Sequence, residues 1–119
     1  MIRHHFTEWA VYLCTQPIDF RKGMASLAVM VETALVLNPF DQALYVFSNR
    51  NRSAIKILYW DKNGFCLWQK RLEQDRFRWP KPDSKGTLTV SLDQLGWLLE
   101  GYDISLMKPH KSLNYQSVT

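Results

Sequence analysis

The sequence predicts a single α+β domain, an antiparallel β-sheet with a central hairpin and with one long and one short α-helix packed on it. Three observations carry that expectation. Short runs rich in β-branched and aromatic residues recur at strand length. Two stretches repeat apolar residues at helical spacing instead. Between two of the strand-like runs stands Asp61-Lys62-Asn63-Gly64, whose Asn-Gly pair tolerates the positive φ that a tight hairpin turn needs.

In chain order, residues 8–14 alternate as a strand with Trp9, Val11 and Leu13 on one side, and Pro17 ends it. Asp19 is the expected N-cap of the long helix. Phe20, Met24, Leu27, Val31 and Leu35 then mark its apolar stripe to about residue 36, and Asn38-Pro39 stops it. Residues 43–48, 54–60 and 65–72 read as strands, the last two forming the hairpin, and residues 87–90 add a short one. Ser91 with Gln94 makes a capping box for the short helix, whose stripe is Leu92, Leu95, Leu98 and Leu99, and Gly101 sits where a helix-ending glycine belongs. Residues 1–106 are expected to form the domain and residues 107–119 a mobile tail.

A chain of 119 residues with 46% hydrophobic and 22% charged residues can bury a real core as one domain. Cys14 and Cys66 form no disulfide framework and no CxxC pair. Neither a membrane span nor a charged-then-apolar leader is visible, so the expectation is a cytoplasmic protein without a membrane partner.

The net charge of +4 is unevenly spread. Residues 1–40 carry three cations and three anions, residues 81–119 four of each, and residues 41–80 eight cations against four anions, so the middle third holds the whole surplus. Residues 40–80 also hold nine of the sixteen aromatic side chains, an interleaving suited to phosphate neutralisation and base stacking. The competing reading puts the rings in the core and the cations on a solvated rim.

Alternation assigns Lys56, Leu58, Trp60, Phe65, Leu67, Gln69 and Arg71 to one hairpin face, and Ile55, Ile57, Tyr59, Cys66, Trp68, Lys70 and Leu72 to the other. A two-residue turn at Asn63-Gly64 would set Lys56 opposite Arg71, a like-charge pair that needs a phosphate or a carboxylate such as Glu73 to offset it. A four-residue loop would pair Lys56 with Gln69 instead. Arg76-Phe77-Arg78-Trp79 alternates guanidinium and ring on a loop. Either the arginines read phosphates and base edges there, or the rings anchor the loop and the arginines meet only water.

Catalytic patterns are sparse. His4, His5 and His110 with the two cysteines match no zinc-ligand spacing, and no metal or other cofactor is expected. No G-x-S-x-G or P-loop occurs. A metal-dependent nuclease would have to draw on Asp19, Asp61, Glu73 and Asp75, which nothing in the sequence gathers around one ion.

One set of residues is recognisable. The string Lys56-Ile57-Leu58-Tyr59-Trp60-Asp61, Gly64-Phe65, Leu67, Lys70-Arg71-Leu72-Glu73, Phe77 and Trp79-Pro80 resembles the signature of the TnpB-type accessory proteins of the insertion-sequence-66 family. Asp19-Phe20-Arg21-Lys22-Gly23, Asn38-Pro39-Phe40 with Tyr45-Val46-Phe47, and Leu98-Leu99-Glu100-Gly101 are similar to further blocks of the same family, in the expected order over about residues 10–104. Asp75 departs from the pattern, standing where glycine is expected. The resemblance implies a part in transposition beside a separate, larger DDE-type transposase.

The expectation is therefore a non-enzymatic accessory factor that binds the element's DNA ends. Its phosphate contacts would be Arg50, Arg52, Lys56, Lys70, Arg71, Arg76 and Arg78, with Arg21 and Lys22 as a second cluster. Those last two are expected in the first helical turn, where the helix dipole disfavours cations unless an anion or a carboxylate accompanies them. The alternative is a module that docks on the transposase without touching DNA, anchored by Trp60, Phe77 and Trp79.

Overall fold

A computed structural model of the chain describes residues 3–82 and 84–106, so the expected tail, with His110, lies outside the described residues. Strands β1 (Ala10–Cys14), β2 (Ala43–Ser48), β3 (Ala54–Asp61), β4 (Gly64–Arg71) and β5 (Thr87–Val90) are accompanied by helices α1 (Met24–Thr33) and α2 (Leu92–Leu99). Short 3₁₀ turns cover Arg3–Phe6 and Ile104–Leu106. The α+β class stands, with every expected strand and both helices present.

The sheet is mixed, not antiparallel. Its order is β4-β3-β2-β1-β5, and β1 runs parallel to β2 while the other neighbours are antiparallel. Parallel neighbours need a crossover of a dozen or more residues, and the stretch from residue 15 to residue 42, with α1 inside it, is that crossover. The hairpin of β3 and β4 therefore lies at one edge of the sheet, not at its centre. The central strand is β2, and all six of its residues are buried, the unbroken apolar run of a strand covered on both faces.

Two cores result. On one face α2, through Leu95 and Leu98, and the loop through Phe77 close over Val11, Leu13, Val46 and Ile57. On the other, α1 packs Leu27 and Val31 against Tyr45, Phe47 and Leu58. The expected capping box is formed: Ser91 Oγ accepts from the Gln94 amide, and Gln94 Oε1 accepts from the Ser91 amide. Gly101, at φ 103°, completes the helix end as its amide donates to Leu98 O and that of Tyr102 to Trp97 O.

Helix α1 is shorter than expected at both ends. Its N-cap is Gly23, not Asp19. The Asp19 carboxylate accepts from the Arg21 amide and guanidinium, and its carbonyl accepts from the Lys22 amide, so the chain turns before the helix starts. At the other end Val36 adopts φ 55° with 79% of its surface exposed. A β-branched residue in the left-handed region is strained by about 1–2 kcal/mol and packs against little here. Val36→Gly is expected to raise stability by about 0.5–1 kcal/mol, read as a higher urea midpoint at unchanged slope.

The hairpin register also differs from the two-residue expectation. Asp61 pairs with Gly64 around a Lys62-Asn63 turn, with Lys62, not Asn63, at positive φ (53°). The shift by one residue puts Lys56 opposite Gln69 and Arg71 opposite Ala54, so the like-charge pairing does not arise.

Candidate nucleic-acid interface

The register places Cys14, Ser48, Ala54, Arg71 and Thr87 along one end of the sheet. Every loop spanning residues 15–23, 49–53 and 72–86 leaves from that end. These segments and Arg71 together hold Arg21, Lys22, Arg50, Arg52, Arg71, Arg76, Arg78, Lys81 and Lys85, nine of the chain's fifteen Lys and Arg residues. The same segments also carry Asp19, Glu73 and Asp75, so cations outnumber anions there, whereas the opposite end holds Glu8, Asp41, Asp61 and Lys62. The two cationic clusters, separate in sequence, thus share one end of the molecule.

Within that end the cations divide by what they touch. Arg50, Arg71, Arg76 and Arg78 are exposed, as are Arg21 and Lys22. Arg21 Nε lies 3.0 Å from both Asp19 oxygens and its Nη2 2.6 Å from Oδ2. Those bonds hold the Asp19 carboxyl far below the usual carboxylate range, the Arg21 amide adding to the effect. With α1 starting at Met24, the helix-dipole conflict expected for Arg21 and Lys22 does not exist, and Asp19 is the carboxylate that accompanies them.

Three expected phosphate contacts are occupied by the protein itself. Lys56 is buried, and its ammonium donates to Phe20 O at 2.8 Å and Lys22 O at 2.9 Å while standing 4.5 Å from the Phe20 ring centroid. Burial pushes its pKa down. Lys70 Nζ donates to Leu99 O at 2.9 Å, tying β4 to the end of α2. Arg52 is half-buried at φ 60°, donates to Thr15 O at 3.2 Å and lies 5.4 Å from the Trp79 ring centroid. Lys56 and Arg52 thus brace the 15–23 loop, and Lys70 fixes the end of α2 against the sheet.

The expected docking anchors also divide. Phe77 is 2% exposed in the core, and Trp79 donates from Nε1 to Cys14 O at 3.1 Å, so both hold the 72–86 loop against the sheet. Trp60 instead joins Phe65 and the exposed Phe40 in a ring cluster with centroids 5.0–5.4 Å apart. It sits at the end of the sheet opposite the basic loops. Reading the sequence missed Phe40 as a partner of Trp60, although its place after Asn38-Pro39, just before an apolar strand, marks it as a loop-tip aromatic.

The nuclease candidates do not converge. Asp61 closes the hairpin at one end of β3, and Asp19, Glu73 and Asp75 belong to loops at the other. Among the described residues no three His, Cys, Asp or Glu side chains are grouped as a metal ion would need. Burial pushes the Cys14 thiol up, away from the thiolate form. No helix among the described residues is long and apolar enough to cross a membrane.

Fold and charge layout together describe a small α+β protein with one basic end and, among its described residues, no group of three His, Cys, Asp or Glu side chains that could hold a metal ion. Residues 9–109 match the family described as IS66 Orf2 like protein, and the chain belongs to that family, the transposition-associated accessory proteins of IS66 elements. It is 42% identical over 93 residues to "Uncharacterized protein y4hO" of Sinorhizobium fredii (strain NBRC 101917 / NGR234), covering 78% of this chain and 80% of that one. It is 34% identical over 98 residues to "Uncharacterized protein y4jC" of the same strain, covering 82% and 83%. No solved structure matches it significantly.

Proposed function

We propose that this accessory protein binds nucleic acid through its basic end and assists a separate DDE-type transposase at the ends of the element, with no catalytic step of its own. The observation that carries this reading is the convergence of exposed cations from three loops on one end of the sheet. Arg21, Lys22, Arg50, Arg71, Arg76 and Arg78 are the proposed phosphate contacts. Lys56 and Arg52 act indirectly, by holding the 15–23 loop, and Lys70 by fixing α2 to the sheet.

The test is binding to labelled element-end duplex, scrambled duplex and single strand across a salt series. Replacing Arg71 and Arg76 by alanine is expected to weaken binding to all three. It should also reduce the slope of log affinity against log salt by about one per residue. Lys70→Ala, whose ammonium is spent on Leu99 O, is expected to leave the slope unchanged. Absence of binding at low salt would overturn the reading.

A second reading is favoured by the Phe40–Trp60–Phe65 cluster: a protein-docking site at the end remote from the basic loops, through which the transposase is engaged. Capture of the transposase that resists nuclease and high salt, and that is lost in Trp60→Ala, would support it. Capture unaffected by that substitution would remove it.

A further inference from the structure

A cavity of about 460 Å³ opens within the basic end, between residues 17–20 after β1 and residues 49–51 after β2. It lies beyond the carboxyl ends of the two parallel strands, where ligands of sheets with parallel strands characteristically bind. Both walls are fixed. The Ile18 amide donates to Ser48 O at 2.9 Å, and Lys56 holds the carbonyls of Phe20 and Lys22. Asn49 Oδ1 accepts from the amides of Ser53 and Ala54, and its Nδ2 donates to Ser53 Oγ. The volume falls within the range of about 300–1,000 Å³ typical of small-molecule sites.

The charge of the lining selects the ligand. Arg50 is its cation and Asp19 its anion. A phosphate inside would meet the Asp19 carboxylate, so the phosphate belongs outside, on Arg50 and its neighbours, and the interior suits a neutral group that donates hydrogen bonds. Asp19 already shows which donor shape it takes: a planar fork, the Nε and Nη2 of Arg21, spans its two oxygens. Guanine presents the same fork through N1–H and the 2-amino group. The side chain of Arg21 is 91% exposed and solvent screens the pair, so a base that enters the cavity can compete with the guanidinium for Asp19. The displaced guanidinium is then free for a phosphate. Pro17 and Phe20 add flat apolar surface, and the Asn51 carboxamide, donor and acceptor at once, can complement a base edge.

We propose that this cavity receives one unpaired guanine of a strand whose phosphates lie on the basic end, with Asp19 accepting from its N1–H and 2-amino group. The proposal rests on the nucleic-acid reading above and adds to it a base preference.

Fluorescence anisotropy with a labelled oligothymidylate, the same strand carrying one central guanine, and the same strand carrying hypoxanthine there tests it, since hypoxanthine lacks only the 2-amino group. The guanine strand is expected to bind about tenfold more tightly than the other two. Asp19→Asn should abolish that preference, while affinity for oligothymidylate should rise rather than fall, because the substitution removes an anion and releases the Arg21 guanidinium; Asn51→Ala should reduce the preference without unfolding risk, its side chain being exposed at a loop tip. Equal affinity for the three strands, or a preference that survives Asp19→Asn, overturns the guanine site and leaves the basic surface standing. No binding of any strand at low salt overturns both.

Discussion

Phe77→Ala is expected to lower the stability of the domain by about 3–4 kcal/mol, the range for deleting a buried phenylalanine and leaving its cavity. Its ring is 2% exposed in the core that also holds Leu95, Leu98 and Ile104, and its amide donates to Arg52 O at 2.7 Å. Phe77 is therefore the point at which the loop of residues 72–86 is pinned both to the sheet face and to the turn after β2. Urea denaturation should show a lower midpoint at unchanged slope. A docking anchor would behave differently: truncation of a ring waiting for a partner leaves the isolated domain as stable as before. Normal stability with lost transposase capture would restore Phe77 to the interface. Because Arg76 and Arg78 flank it, the variant is also expected to bind nucleic acid more weakly under conditions where the fold persists.

Arg76-Phe77-Arg78-Trp79 shows how far the sequence could be read. The alternation of charge and ring correctly separates an outward set from a second set, but pattern alone does not tell whether the rings face a partner or the core. That depends on a surface made by α2 and β1, distant in sequence. Lys56 was opaque for the same reason. Its place among Ile55, Ile57 and Leu58 shows a strand, while the two carbonyls that receive its ammonium belong to residues 20 and 22. Strand boundaries, the capping box of α2 and the Gly101 helix end were legible because each depends on a few adjacent residues. The parallel β1–β2 pairing had a visible signal as well: a strand, a helix and then the unbroken apolar run 43–48 describe a crossover into a covered strand. The Asn63-Gly64 pair outweighed it by suggesting that hairpins organise the whole sheet. Missing from the sequence altogether was the gathering of Arg21, Lys22 and Arg50 at one end, since only the strand directions decide where loops leave.

Lys56→Ala is expected to destabilise the domain by about 2–3 kcal/mol. Two hydrogen bonds from a charged donor are lost, each worth about 1.5–3 kcal/mol, against the recovered cost of burying the ammonium. The aliphatic stem also ceases to fill space between β3 and the 19–23 loop, a packing loss separate from the charge. Lys56→Met isolates the polar part, because it keeps the stem and removes the donor, and is expected to cost about 1–2 kcal/mol. Both variants free the carbonyls of Phe20 and Lys22. Amides of residues 18–22 should then exchange faster with solvent than those of β2, which has no part in the brace. Binding to nucleic acid distinguishes a brace from a contact. If Lys56 touched a phosphate, Lys56→Met would leave stability intact and lower the salt slope by about one. As the brace of the 19–23 loop it should do the reverse, with a lower urea midpoint and an unchanged slope. Any loss of affinity would then come from the wandering of Arg21 and Lys22, whose loop it no longer holds.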